Sequence, residues 1–144
     1  MVCCFFGHAD APNMIYPMLF ETIEKLIVER DVAKFVVGNH GGFDGMVRQA
    51  LGELKTRYPH ISANVVLAYM PLAKPGIPLE GDIPTILPEG IEQVSKRYAI
   101  TWRNKWMVRE SQIVVCYVTH SWGGAAQFVE SASKLGKEII NLAQ

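Results

Sequence analysis

Four unbroken apolar runs, at 2–6, 35–37, 65–69 and 113–118, set the tightest limit on what this chain can fold into. A strand with one face in water alternates apolar and polar residues. These runs do not alternate, so they read as strands covered on both faces. Between them the apolar residues recur every three or four positions. Ile15, Leu19, Ile23, Leu26 and Ile27 form one helical stripe, and Met46, Val47, Ala50, Leu51, Leu54 and Tyr58 a second. A third unit opens at Gly123 and runs through Phe128, Val129, Ala132 and Leu135. It caps on Gly136 and leads to a last short strand over 139–142. Strand, helix and strand in this order predict an α/β fold, a mainly parallel sheet covered by helices and joined by right-handed crossovers.

Residues 70–90 interrupt that rhythm. Pro71, Pro75, Pro78, Pro84 and Pro88 alternate with Gly76, Gly81 and Gly90, which predicts a long loop, with 83–87 as a short edge strand inside it. Loops of that length in a compact domain are commonly functional. There is no internal repeat, low-complexity tract or domain boundary, and 144 residues suit a single domain, 1–144, with one core. The formal charge of zero, with 19% charged residues, supplies no field that favours nucleic acid. The apolar start, Met1 to Phe6, lacks a basic leader and is too short to span a membrane, so the expected location is cytoplasmic. Cys3, Cys4 and Cys116 lack the spacing of a metal site and read as inert buried thiols. No metal or cofactor is implied.

The functional signal lies where strands hand over to helices. In a parallel sheet with helices on both faces, ligands bind beyond the carboxyl ends of the strands. There the next helix presents unpaired N–H groups and a partial positive charge. Gly7 after the first strand, Gly41-Gly42 after the second and Gly123-Gly124 before the last helix all occupy that position. Glycine permits both a positive φ and close backbone approach. Asp44 fits the same region in either of two roles: capping the second helix, or accepting hydrogen bonds from ribose hydroxyls. Read as a helix, 101–109 puts Arg103 and Met107 on one face, and Arg103 can then project to the ligand edge as a fork for phosphate or carboxylate. His8 and His120, each just past a strand end, are candidate hydrogen-bonding or acid/base groups.

Taken together, Cys4-Phe5-Phe6-Gly7-His8, Gly41-Gly42-Phe43-Asp44, Tyr98-Ala99-Ile100 with Arg103-Asn104-Lys105-Trp106-Met107, and Tyr117-Val118 with Gly123-Gly124-Ala125 resemble the YpsA/YoqJ-like branch of the SLOG superfamily. That superfamily also holds the DprA and LOG proteins. The resemblance covers nearly the whole chain and implies a Rossmann-like three-layer fold with a nucleotide-type pocket at the strand ends. It gives Gly41, Gly42 and Gly45 the part of a phosphate cradle and extends the ligand-binding set to Asn104. Matched by offset to the LOG phosphoribohydrolases, Arg103 and Glu130 take the catalytic places, and Gly123 and Gly124 the glycines of the PGGxGTxxE pattern. The chain departs from that pattern at Trp122, Ala126, Gln127 and Asn104. On that ground the leading expectation is a sensor or regulatory protein that binds a nucleotide or nucleotide-derived ligand, with a possible homo-oligomer. The alternative is a phosphoribohydrolase that cleaves the N-glycosidic bond of a nucleoside 5′-monophosphate. In it Glu130 stabilises the oxocarbenium charge or orients water.

Overall fold

A computed structural model describes residues 1–69 and 83–144, and in it the apolar runs form one sheet. In chain order the elements are β1 (Val2–Gly7), α1 (Tyr16–Arg30), β2 (Lys34–Val37), α2 (Gly41–Arg57), β3 (Ser62–Val66), β4 (Thr85–Ile86), α3 (Lys96–Glu110), β5 (Ile113–Tyr117), α4 (Gly124–Lys134) and β6 (Glu138–Asn141). Short 3-10 turns at Asn13–Ile15 and Ile91–Gln93 lead into α1 and α3. The strands lie in the order β4-β3-β2-β1-β5-β6, and each neighbouring pair is parallel. The expected α/β, Rossmann-like three-layer fold is the one observed.

The strand order fixes where the helices go. From β1 the chain steps outward to β4, returns through α3 to the far side of β1, and continues from β5 to β6. With crossovers of one hand, helices of the two halves must cover opposite faces. Accordingly, Leu19, Ile23 and Leu26 of α1 and Val47, Leu51 and Leu54 of α2 pack with Cys3, Phe5, Phe35, Val37, Ile113 and Val115. Met107 and Val108 of α3 and Phe128 and Ala132 of α4 pack instead with Cys4, Phe6, Val36, Val114 and Cys116. Successive side chains of β1 and β5 therefore enter two different cores, which is why their sequences do not alternate. The order reverses between β1 and β5, so the loops that follow these two strands part to opposite faces and open a crevice at the carboxyl edge.

Several boundaries differ from the sequence reading: α3 begins at Lys96 rather than at 101, β6 covers Glu138–Asn141 rather than 139–142, and β3 and β4 differ at the sheet edge. β3 begins at Ser62, three residues before the apolar run, because its polar positions lie near the sheet edge: Asn64 donates to the Pro84 carbonyl at 3.5 Å. Only Val65 and Val66 pair with β4, and the predicted edge strand over 83–87 shortens to Thr85–Ile86. The rest of the expected loop, 70–82, lies outside the described residues. The three cysteines are buried and unpaired, and burial pushes the Cys4 and Cys116 thiols up to about 12. Among the described residues, no helix is long and apolar enough to cross a membrane.

Candidate functional site

Arg103 is the residue around which the carboxyl edge is built. On α3 it follows Ala99 and precedes Met107 by four positions each, so it sits in the middle of that helix's buried stripe. Its side chain is only 2% exposed, and a charge buried that deeply needs partners. From α3 the guanidinium crosses the ends of β3 and β2. Nη1 donates to the Val66 carbonyl at 3.1 Å and to Asn39 Oδ1 at 3.0 Å, while Nε donates to Asn104 Oδ1 at 3.0 Å. Nη2 lies 3.4 Å from His40 Nδ1. A guanidinium cannot accept, so Nδ1 is the acceptor and His40 is neutral at that atom. Burial, followed by the charges of Arg103 and Arg48, lowers the His40 pKa and keeps it so. These contacts occupy four of the five N–H donors of a guanidinium. Arg103 thus lends the site its charge and, among the described residues, keeps one remaining donor; it is not an open fork.

Asp44, in the first turn of α2, stands beside this cation. Its Oδ2 accepts the N–H of His40 at 3.0 Å; since His40 is the N-cap residue of α2, Asp44 reaches back from inside the helix to a backbone donor at its start rather than serving as the N-cap itself. Burial pushes its pKa up to about 6, even though the His40 bond and the charges of Arg103 and Arg48 pull it down. Gly38 leaves room for both groups. A Cβ there would lie 3.0 Å from both the Arg103 Cζ and the Asp44 Oδ2, so any side chain would displace one of them. Burial in turn lowers the Arg103 pKa, an effect opposed by Asp44 and Tyr69.

These groups line a cavity of about 120 Å³ at the carboxyl end of β1, together with Gly7, Asn104, Gly124, Ala125 and the apolar Phe6, Met107 and Phe128. Of the residues singled out in the sequence, Gly7, Asp44, Arg103, Asn104 and Gly124 are brought together here. A larger hollow of about 250 Å³ lies between Ala68, Ile91, Val94 and Ala99; among the described residues its lining is mostly apolar, with Tyr69, Glu92 and Lys96 as the polar members.

The three glycine turns have different environments. Gly41 has a φ of +90°, and a Cβ there would approach the Ala9 Cα to 2.9 Å. The Gly42 N–H donates to the Ala9 carbonyl at 2.8 Å, and a Cβ at Gly42 would lie 2.7 Å from the same oxygen. This pair is closed against the loop after β1, and the Gly42 amide is already used. Gly7 is required by packing, since a Cβ would fall 2.2 Å from the buried ring of Phe43. Gly123 and Gly124 differ from all of these: Gly123 has a φ of +96°, and among the described residues nothing lies within 4 Å of a Cβ at either position. The start of α4 also lacks a side-chain cap.

His8 and His120 lie beside one another past the ends of β1 and β5, their rings stacked at 3.9 Å, but neither lines the cavity. Glu130 is farther off. It is exposed on α4, pairs with Lys134 at 3.3 Å, and borders two other hollows, one with Gln127, Ser131 and Leu135 and one with His120 and Ser121. The offset that matched it to a catalytic carboxylate therefore does not bring it to Arg103; Asp44 is the carboxylate that lines the cavity. Gly38, Asn39 and His40 are not among the residues singled out in the sequence. The signal that points to them is Arg103 itself, a charge set in an apolar helical stripe that must be met by acceptors from a neighbouring turn. Among the described residues, no three His, Cys, Asp or Glu side chains are arranged to hold a metal ion.

Comparison with protein-family models and with curated proteins finds no match for this chain. The chemistry of the site has to carry the functional reading.

Proposed function

We propose that the protein binds a nucleotide or nucleotide-derived ligand at the carboxyl edge of its sheet and acts as a sensor or regulatory protein. The observation that carries this reading is the convergence of a buried cation, a buried carboxylate, an amide and two glycine turns on one cavity beside the point where the strand order reverses. The resemblance to the YpsA/YoqJ-like branch of the SLOG superfamily leads to the same expectation. About 120 Å³ accommodates an anionic group rather than a whole nucleotide. Its lining agrees with that size, because Arg103 lends it a buried positive charge and Gly124, at the start of α4, is open. The phosphoribohydrolase alternative is less favoured, since Glu130 does not line the cavity with Arg103.

The test uses a steric plug. Gly124→Leu places a side chain where the fold leaves open space, so the protein should fold normally while the cavity mouth is blocked. Wild type and variant are titrated with mono-, di- and cyclic nucleotides and ADP-ribose, and each binding mixture is assayed for free base. A ligand at 100 times its dissociation constant should stabilise the wild type by about 2.7 kcal/mol and the variant by much less. Binding that survives the plug unchanged would place the ligand elsewhere. Failure of every compound to bind would refute the reading, and release of free base would replace the sensor with the hydrolase.

A further inference from the structure

The loop after β5 carries an ordered column of rings that the cavity does not use. His8 and His120 stack with centroids 3.9 Å apart and planes 12° from parallel. His120 and Trp122 stack at 3.8 Å and 16°. Two rings that close and that nearly parallel to a third cannot share one of its faces without overlapping, so His120 lies between the other two. Trp122 is then the outermost ring. One of its faces is covered by His120, yet the residue is 69% exposed, which puts most of that exposure on the opposite face and the edges. Hydrogen bonds hold the column in place. The Thr119 N–H donates to His8 Nε2 at 3.0 Å, the His8 N–H donates to the Tyr117 carbonyl at 3.3 Å, and His120 Nδ1 donates to the Trp122 carbonyl at 2.9 Å.

We infer that the free face of Trp122 is a stacking platform for the base of a nucleotide whose anionic end enters the cavity beside Arg103. This assignment rests on the nucleotide reading above. A large aromatic ring fixed by its neighbours and open on one side loses little freedom when a planar ligand is added, and every nucleobase has a π face to offer. The adjoining residues supply the path. Gly123 and Gly124 leave open space where side chains would stand, and Gly124 lines the cavity with Arg103 and Asp44. Trp122 and Gly124 are two residues apart, at most about 7 Å along the chain. The platform and the rim of the cavity therefore belong to one turn. The cavity is too small for the base, and the column provides the base with a surface outside it.

The experiment compares AMP and UMP, which carry a base, with ribose 5-phosphate, which does not, by calorimetric titration of wild type, Trp122→Ala and Trp122→Phe. Trp122 is exposed, so both variants should melt close to wild type. Trp122→Ala is expected to weaken AMP roughly tenfold or more, UMP by less, and ribose 5-phosphate not at all, while Trp122→Phe retains most of the AMP affinity. Equal affinity of the wild type for AMP and ribose 5-phosphate, or an equal loss for both in Trp122→Ala, would overturn the platform and leave the pocket standing. No binding of any of the three by wild type at millimolar concentration would overturn both.

Discussion

Asp44 is the most informative residue to perturb, because burial and two arginines pull its proton in opposite directions. Its folded pKa, about 6, lies above its ordinary value of 3.8. The native state then holds the proton more tightly than the unfolded chain does. The stability gained from this group is fully present below about 3.8 and is lost as pH rises through 6. A rise of that size corresponds to about 3 kcal/mol. Other carboxylates act in the opposite direction: hydrogen bonds from Arg57 and Arg30 hold Glu24 and Glu138 below their usual range, so these two stabilise the fold as pH rises. The Asp44 contribution is isolated by comparison with Asp44→Asn, which keeps an oxygen to accept the His40 N–H.

Unfolding by urea at pH 4 and pH 8 gives the free-energy difference between wild type and Asp44→Asn at each pH. That difference should move in favour of the variant by on the order of 3 kcal/mol between the two conditions. The absolute cost of the substitution, including what Arg103 loses, is not needed, since the part that does not depend on pH cancels. A difference constant with pH would mean that Asp44 titrates alike in folded and unfolded chains. A shift in favour of the wild type would mean that Arg103 and Arg48 outweigh desolvation and hold the carboxyl below 3.8, and the account of the site given above would be refuted.

Three further outcomes follow from the same geometry. Gly7→Ala should cost about 1–3 kcal/mol or more, because its Cβ meets the Phe43 ring at 2.2 Å and that ring is fully buried; Gly124→Ala, with open space around it, should change the urea midpoint little, and equal effects would contradict the packing. Arg103→Ala leaves Asp44 buried beside an empty site and the Val66 carbonyl without its donor, at a cost of roughly 3–5 kcal/mol; a midpoint close to wild type would show that Arg103 is not a strut of the fold. The His8 pKa is lowered, first by burial and then by His120, so the stability it contributes is present above 6.5 and lost as pH falls through its folded pKa. Its ring proton should titrate below 6.5 by NMR, with the Thr119 amide shifting in step, and a midpoint above 6.5 would show that the column does not keep His8 neutral.

The parts of the fold that could be read in the sequence are those where one physical requirement dominates. Burial on both faces removes alternation from β1, β2 and β5, so those strands were visible as runs; near the edge, where β3 has only a short partner, polar residues reappear and the strand start is hidden. The stripe of α3 was equally visible because Arg103 and Met107 lie four apart, and the position of Arg103 follows from it. What could not be read was the set of partners, since Asn39 and His40 belong to a turn 63 or more residues away and meet Arg103 only through the sheet.

The glycine pairs show the same limit from the other side. Gly41-Gly42 and Gly123-Gly124 are indistinguishable as sequence: each is a pair at a strand-to-helix turn, and each has a first glycine with φ above +90° or close to it. Conformation alone explains that first glycine in both cases. The second glycine separates them. At Gly42 the missing Cβ admits the Ala9 carbonyl, and the amide is consumed by the protein itself. At Gly124 the missing Cβ admits nothing from the described protein, so packing gives no reason for glycine there. A position where neither backbone angle nor packing against the described residues demands glycine, on the rim of a cavity with a buried arginine and two residues from an exposed tryptophan, is where the proposed ligand would approach the backbone most closely. That places the weight of the functional reading on the turn before α4 rather than on the turn before α2.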